Sequence, residues 1–356
     1  MKTFEDLIRE VQEPGLCHHC GGCVTFCTSI NYAALELDNS GRPRFADRAK
    51  CIECGLCYSI CPEIDELHQE TEQLVAWEAP MGKVIDLSAV RALDTDIREK
   101  ATDGGAVTAL LVHLFDSGRI DGAIVTRQIG LFNREPHLAT TREDIIASAG
   151  FYFDTSAGIK HFGHDYSTFS PSVQEFRPVI EKKLNSIALV GTPCQIQAVR
   201  KIEALGVVPS DAIKYCFGLF CSGNFLFDEK EKKKLEEVSK INIKENFMLH
   251  LKNQNILQMS LDKLEFLKRY ACRFCRDYSA EYADLSFGGI GAKEGWTTVI
   301  TRSAKGRKVL ADAWGKTIES TSDAQGLELS AADALDIVRQ ASKSKRETAQ
   351  SNRRKL

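Results

Sequence analysis

Apolar residues at Phe4, Leu7, Ile8 and Val11 fall on one helical face, so the stretch from Met1 to about Gln12 predicts a short amphipathic helix. Ala33–Asp38 and Arg42–Phe45 then predict a small hairpin, with Asn39-Ser40-Gly41 as its turn. Glu66 to Pro80 is polar until Trp77 and reads as a linker. The pattern changes near Val84. Asp103-Gly104-Gly105 leads into the apolar run Ala106–Phe115, which predicts a helix stopped by Ser117-Gly118. Gly122–Thr126 predicts a buried strand. A polar helix around Arg177–Leu184, a strand over Ser186–Val190, a helix over Gln195–Leu205 and a strand over Ala212–Phe220 follow. The charged run Asp228–Glu237 reads as a solvated helix face. Ile256–Lys263 reads as a strand of a cover sheet, and Ala283–Gly288 and Thr297–Thr301 as two more strands. Ala332–Ala341 predicts a helix, and the basic Arg353-Arg354-Lys355 a disordered tail. Helices alternating with short apolar strands predict a mixed or parallel α/β sheet covered on both faces.

The cysteines change the picture most. Cys17, Cys20, Cys23 and Cys27 form one run, and Cys51, Cys54, Cys57 and Cys61-Pro62 a second. Both have the C-x₂-C-x₂-C-x₃-C spacing of two-cluster bacterial ferredoxins. Three closely spaced thiolates wrap one 4Fe–4S cluster, and the fourth ligates the other. The rule assigns Cys17, Cys20, Cys23 and Cys61 to cluster one, and Cys51, Cys54, Cys57 and Cys27 to cluster two. Gly21, Gly22 and Gly55 let backbone amides approach the sulfides. One departure is Thr28, where proline is usual after the fourth cysteine. Structural zinc sites pair C-x₂-C units about 12 to 20 residues apart. Disulfides suit small secreted domains, and no signal peptide is recognisable.

The chain has 356 residues, 43% hydrophobic and 27% charged, with thirteen cysteines and a net charge of −3. The length suits two domains with an appended module. We expect a two-cluster domain over 1–80, a cofactor-binding α/β domain over 81–305, and a helical extension with a basic tail over 306–356. The charge argues against a nucleic-acid binder. No apolar run reaches membrane-spanning length. The cysteine usage predicts a reducing cytoplasm, with docking on a membrane-bound or soluble complex open.

Five cysteines remain. Cys194 lies at a strand-to-helix turn, Cys221 ends a strand, and Cys272 and Cys275 form a C-x₂-C pair. Four thiolates from three loops suit one more 4Fe–4S cluster or a zinc ion. Cys216, inside an apolar strand, reads as a packed core thiol. The turns Asp103–Gly105 and Gly191–Pro193 open helices, whose amino termini attract phosphate. A dinucleotide such as FAD fits there, and so does an ordinary loop; neither turn is a G-x-G-x-x-G fingerprint. His18 and His19 read as exposed loop residues that tune a cluster, and His113 as packed. His161 and His164 read as structural or as substrate contacts.

Asp103–Leu111, Gly118–Val125, Val190–Arg200, Gly218–Cys221, Cys272–Cys275 and Ala283–Gly291 resemble, in order, the beta subunit of coenzyme F-420 hydrogenase/dehydrogenase. The likeness spans about residues 84 to 305. With its ferredoxin module the chain resembles the input subunit of F-420H₂ dehydrogenase, and in part F-420-dependent sulfite reductase. The resemblance implies FAD, coenzyme F-420 as substrate, and a third 4Fe–4S cluster on Cys194, Cys221, Cys272 and Cys275. It implies flavin contacts at Asp103, Gly104, Gly105, Ala106, Val107 and Thr108, with Thr192, Pro193 and Gln195 close by. Thr155–Lys160 corresponds to a loop near the flavin, with Lys160 at its ring or phosphates, and Asp284 and Gly288 close the other side.

These readings predict an iron–sulfur flavoprotein oxidoreductase. Reduced F-420 gives a hydride, clusters take single electrons, and a flavin does both, so it belongs between them. Partner subunits or ferredoxin would exchange the electrons. No acid or base is required, so no catalytic residue is named. The alternative is an electron-relay subunit of a heterodisulfide reductase or formate dehydrogenase type of complex, using NAD(H), ferredoxin or another donor.

Overall fold

The protein is described from a computed structural model covering residues 1–29, 32–38, 40–128, 134–150, 184–206, 210–225, 237–243, 246–323 and 325–356. Its amino-terminal lobe holds α1 (Phe4–Leu7), continued by a π-helical turn over Ile8–Gln12, then α2 (Gly22–Ser29) and the hairpin β1 (Leu35–Leu37) and β2 (Pro43–Phe45). The short α3 (Leu56–Ser59) carries Cys57. The predicted linker instead contains a helix, α4 (His68–Val75).

The larger part is built from β3 (Asp86–Ala92), α5 (Thr95–Lys100), α6 (Ala106–Asp116), β4 (Gly122–Gln128), β5 (Arg134–Ala139) and α7 (Arg142–Ala147). It continues with β6 (Ile187–Gly191), α8 (Pro193–Ala204) and β7 (Ile213–Leu219), then β8 (Val238–Ile243), β9 (Asn246–Leu251) and β10 (Ile256–Ser260). The last elements are β11 (Leu285–Gly288), β12 (Thr297–Thr301), α9 (Ala304–Ala313), β13 (Ile318–Thr321) and α10 (Ala331–Arg353). Eight strands form one mixed sheet in the order β13-β3-β12-β11-β7-β6-β4-β5. Four consecutive strands, β11, β7, β6 and β4, are parallel. β5 on one side and β12, β3 and β13 on the other each pair antiparallel with their neighbours. β8, β9 and β10 form a separate antiparallel sheet.

The parallel strands are nearly continuous apolar runs because both faces are covered. On one face α6 buries Leu110, Leu111 and Leu114 against Val125, Phe217 and Phe287. On the other, Ile196 and Val199 of α8 pack on Ile124, Leu189 and Cys216. Cys216 is fully buried, as its apolar strand predicted, and His113 packs inside α6.

The lobe and the sheet share packing. Phe274, between Cys272 and Cys275, inserts among Phe4, Leu7, Val11, Leu16, Val24 and Tyr58 of the lobe. Burying such a ring contributes about 1.5–3 kcal/mol. Ile202 of α8 packs on Phe26 and Ile60, and Lys201 donates to the carbonyls of Cys61 and Ile64. The basic tail is not disordered: α10 runs through Arg353, which pairs with Glu63, and Asn352 Nδ2 donates to Arg273 O at 2.9 Å. The helix predicted over Arg177–Leu184 and the charged run Asp228–Glu237 lie essentially outside the described residues.

Candidate functional site

The carboxyl ends of the four parallel strands meet at one edge of the sheet, where open α/β sheets bind ligands. β6 ends at Gly191, and α8 starts immediately with Pro193 in its first turn. Proline suits that position because its missing N–H has no helical partner there. Gln195 Oε1 accepts the Thr192 N–H at 2.9 Å, closing a capping box that fixes Cys194 at the helix start. β7 delivers Phe220 and Cys221, and β11 delivers Gly288. A cavity of about 800 Å³ opens there.

Of the residues expected at the flavin, Asp103, Gly105, Ala106, Val107, Thr108, Thr192 and Gly288 line the cavity. Gly105 has φ +72, a conformation glycine adopts at little cost. No side chain caps α6, so its first amides lack a helical partner beside the cavity. Gly288 makes room for the Phe220 ring, also on the cavity wall: a Cβ there would sit 2.0 Å from Phe220 Cδ2.

Four expected contacts stand apart from the cavity lining. Gly104 lies behind it, where a Cβ would come 2.7 Å from Val90 O. Pro193 is buried in α8, and Gln195 is used by the capping box. Asp284 is placed elsewhere. Its carboxylate accepts from Cys216 N at 2.9 Å, Arg200 Nη2 at 3.2 Å and Ser303 Oγ at 2.8 Å, with Lys305 Nζ at 3.4 Å. Burial alone would raise its pKa, but the two cations and the two hydrogen bonds hold it below the ordinary 3.8. This aspartate ties β11 to β7, α8 and the start of α9. Lys160, its loop, His161 and His164 lie outside the described residues.

None of the thirteen cysteines is in a disulfide. One small cavity is lined by Cys17, Cys20, Cys23 and Cys61. Another is lined by Cys27, Cys51, Cys54 and Cys57. These are the two foursomes that the spacing rule assigns. Burial pushes the thiols of Cys20 and Cys57 up to about 12 and those of Cys23 and Cys61 well above the usual range. Neighbouring thiolates add to the effect, and Cys23 feels Cys57 as well as its own foursome. Cys194, Cys221 and Cys275 are raised likewise, first by burial. Cys194 feels Cys275 and Cys221, Cys275 feels Cys272, and Cys194 also feels Cys20 of the lobe. Cys221 and Cys272 line the large cavity. The three foursomes therefore form a row: cavity, Cys194 group, Cys17 group, Cys51 group.

His18 differs from its expected exposure. It is buried, with Nε2 3.1 Å from Glu63 Oε1, and burial lowers its pKa. The sequence predicts only the first half of α10, to Ala341; the helix continues to Arg353, and Ala341, Ser344, Lys345 and Thr348 form one wall of the large cavity.

Three family models match the chain: 4Fe-4S dicluster domain over residues 9–62, and coenzyme F-420 hydrogenase/dehydrogenase, beta subunit N-term over 87–162 and C terminus over 184–325. The coenzyme F-420 hydrogenase subunit beta of Methanococcus voltae is 30% identical over 239 residues, covering 64% of this chain and 80% of that protein. The chain belongs to the coenzyme F-420 hydrogenase/dehydrogenase beta-subunit family. Within this beta-subunit family it carries an amino-terminal ferredoxin-type 4Fe–4S domain. It is 26% identical to a subunit of the F(420)H(2) dehydrogenase of Methanosarcina mazei, over 85% of this chain and 83% of that one. It is 27% identical to the coenzyme F-420-dependent sulfite reductase of Methanocaldococcus jannaschii, but matches only 47% of that protein. A chain from the F-420-reducing [NiFe] hydrogenase complex of Methanosarcina barkeri superposes with a TM-score of 0.66 at 27% identity, covering 78% of this chain and 93% of that one. Among the described residues no helix is long and apolar enough to cross a membrane.

Proposed function

We propose that this beta-subunit relative exchanges hydride between coenzyme F-420 and FAD in the large cavity, and relays single electrons through three 4Fe–4S clusters to or from partner subunits. The row of three foursomes running away from the cavity carries this reading. Bound flavin would supply the conversion between two-electron and one-electron transfer. The chain's own residues bind, orient and exclude water. The cavity volume lies within the usual ligand range. The uncapped start of α6 offers backbone N–H groups to a pyrophosphate. Val107, Leu111, Val125 and Phe287 give the cavity apolar walls suited to a ring system.

The donor set favours clusters over single ions. Four thiolates on one zinc would sit about 3.8 Å apart, given its bond lengths. The two C-x₂-C-x₂-C-x₃-C runs of the lobe have the spacing of cubane ligands. A cubane spreads its ligands more widely. Cys194, Cys221, Cys272 and Cys275 would hold the third cluster, at the cavity wall.

Anaerobic purification followed by iron and flavin analysis tests this reading. About twelve irons, four per cluster, and one FAD per chain are expected. A colourless protein carrying zinc would contradict it.

A further inference from the structure

The family match stops at residue 325, yet α10 continues to Arg353 and lines the cavity with Ala341, Ser344, Lys345 and Thr348. These four recur at i, i+3, i+4 and i+7, so they share one helix face. Lys345 is the only cation among them. Its Nζ donates to Cys221 O at 2.6 Å and to Asp277 O at 2.8 Å. Asp277 O in turn lies 3.6 Å from Cys275 Sγ. One ammonium thus joins the backbone beside two thiols of the third foursome. The helix is pinned at this contact and along its carboxyl-terminal side. Arg346 Nη2 donates to Glu281 Oε1 at 2.6 Å, Asn352 holds Arg273 O, and Arg353 reaches Glu63 in the ferredoxin lobe.

We propose that Lys345 is a positioning residue that sets the potential of the electron site held by Cys194, Cys221, Cys272 and Cys275. This rests on reading those thiols as a 4Fe–4S site. Reduction of such a site adds one electron and no proton, so it adds one negative charge. A fixed cation a few ångströms away favours the more negative state. The charges facing Lys345 are the three nearby thiols and Asp277. Glu281, farther along, is already paired with Arg346. Lys201 donates in the same way to the carbonyls of Cys61 and Ile64, beside the first foursome. Carbonyl-bound lysines therefore accompany two of the three sites.

The test is a redox titration of the anaerobic full-length protein, followed by electron paramagnetic resonance, for wild type, Lys345→Met, Lys345→Gln and Lys345→Arg. Gln keeps a donor without the charge, and Arg keeps the charge. In Met and Gln the reduced form of the third centre should become at least tenfold less favoured, a fall of about 59 mV for a one-electron couple. Arg should stay near wild type, and the two lobe centres should not move. Loss of about four irons from Met and Gln but not from Arg would also support the role of charge. An unshifted potential in Met and Gln, or equal iron loss from all three variants, would overturn it. A wild-type chain with only about eight irons would instead sink the underlying cluster reading.

Discussion

The ferredoxin lobe and the cavity edge of the sheet each gather buried thiols, but by different routes. In the lobe two foursomes come from residues 17 to 61, and the chain exchanges only Cys27 and Cys61 between them. At the cavity edge Cys194, Cys221, Cys272 and Cys275 come from the ends of β6 and β7 and from a loop before β11. The first arrangement is a property of a short segment. The second exists only once the parallel strands are in register, because strand order brings their carboxyl ends to one edge. The lobe's sites should therefore survive damage to the sheet's site, while the cavity and the third foursome should fail together.

The largest effect should come from Cys221→Ala. It should leave about eight irons, lower the flavin content and abolish reduction of the lobe clusters by reduced F-420. Absorbance and electron paramagnetic resonance after mixing would check this. Simultaneous loss of the lobe's iron would break the contrast.

Asp284→Asn removes one partner of a buried ion pair and should destabilise the sheet by about 3–5 kcal/mol in a denaturant titration. The same carboxylate predicts an acid dependence. Its folded pKa lies below the ordinary 3.8, so its contribution is complete above that value and is lost as pH falls through the depressed one. Asp284→Asn should flatten that part of the stability–pH curve.

Gly288→Ala places a methyl against the Phe220 ring and should cost about 1–3 kcal/mol. Flavin content should fall with iron in the lobe unchanged. The smallest effect should follow Arg353→Ala, about 1 kcal/mol, since its guanidinium remains partly exposed beside Glu63. Faster amide exchange confined to the end of α10 would be its signature.

Much of this was legible in the chain. The lobe foursomes followed from spacing alone, because the ligand rule is local. The hairpin, α6, β4, β6, α8, β7, β11 and β12 followed from periodicity and turn residues. α4 was hidden because Leu67, in a left-handed conformation, starts it without a side-chain cap, and few of its residues are apolar. Beyond Ala341, where the predicted helix stopped, α10 buries only Ser342 and Ala349, so the inner face of its second half is too small to register as hydrophobic. The place of Asp284 depends on Arg200, 84 residues away, and on Ser303 and Lys305. No local pattern records such a partnership. The burial of His18 likewise depends on Glu63 and on the carbonyl that Arg269 Nη1 meets at 2.9 Å.

The central claim is that the cavity takes electrons as hydride from coenzyme F-420 and passes them on singly. Rapid mixing of the anaerobic protein with reduced F-420, or separately with NADH, tests it most directly. Reduced F-420 should bleach the flavin band first and the cluster absorbance after it, with NADH inert. Rapid bleaching by NADH with no response to reduced F-420 would contradict it.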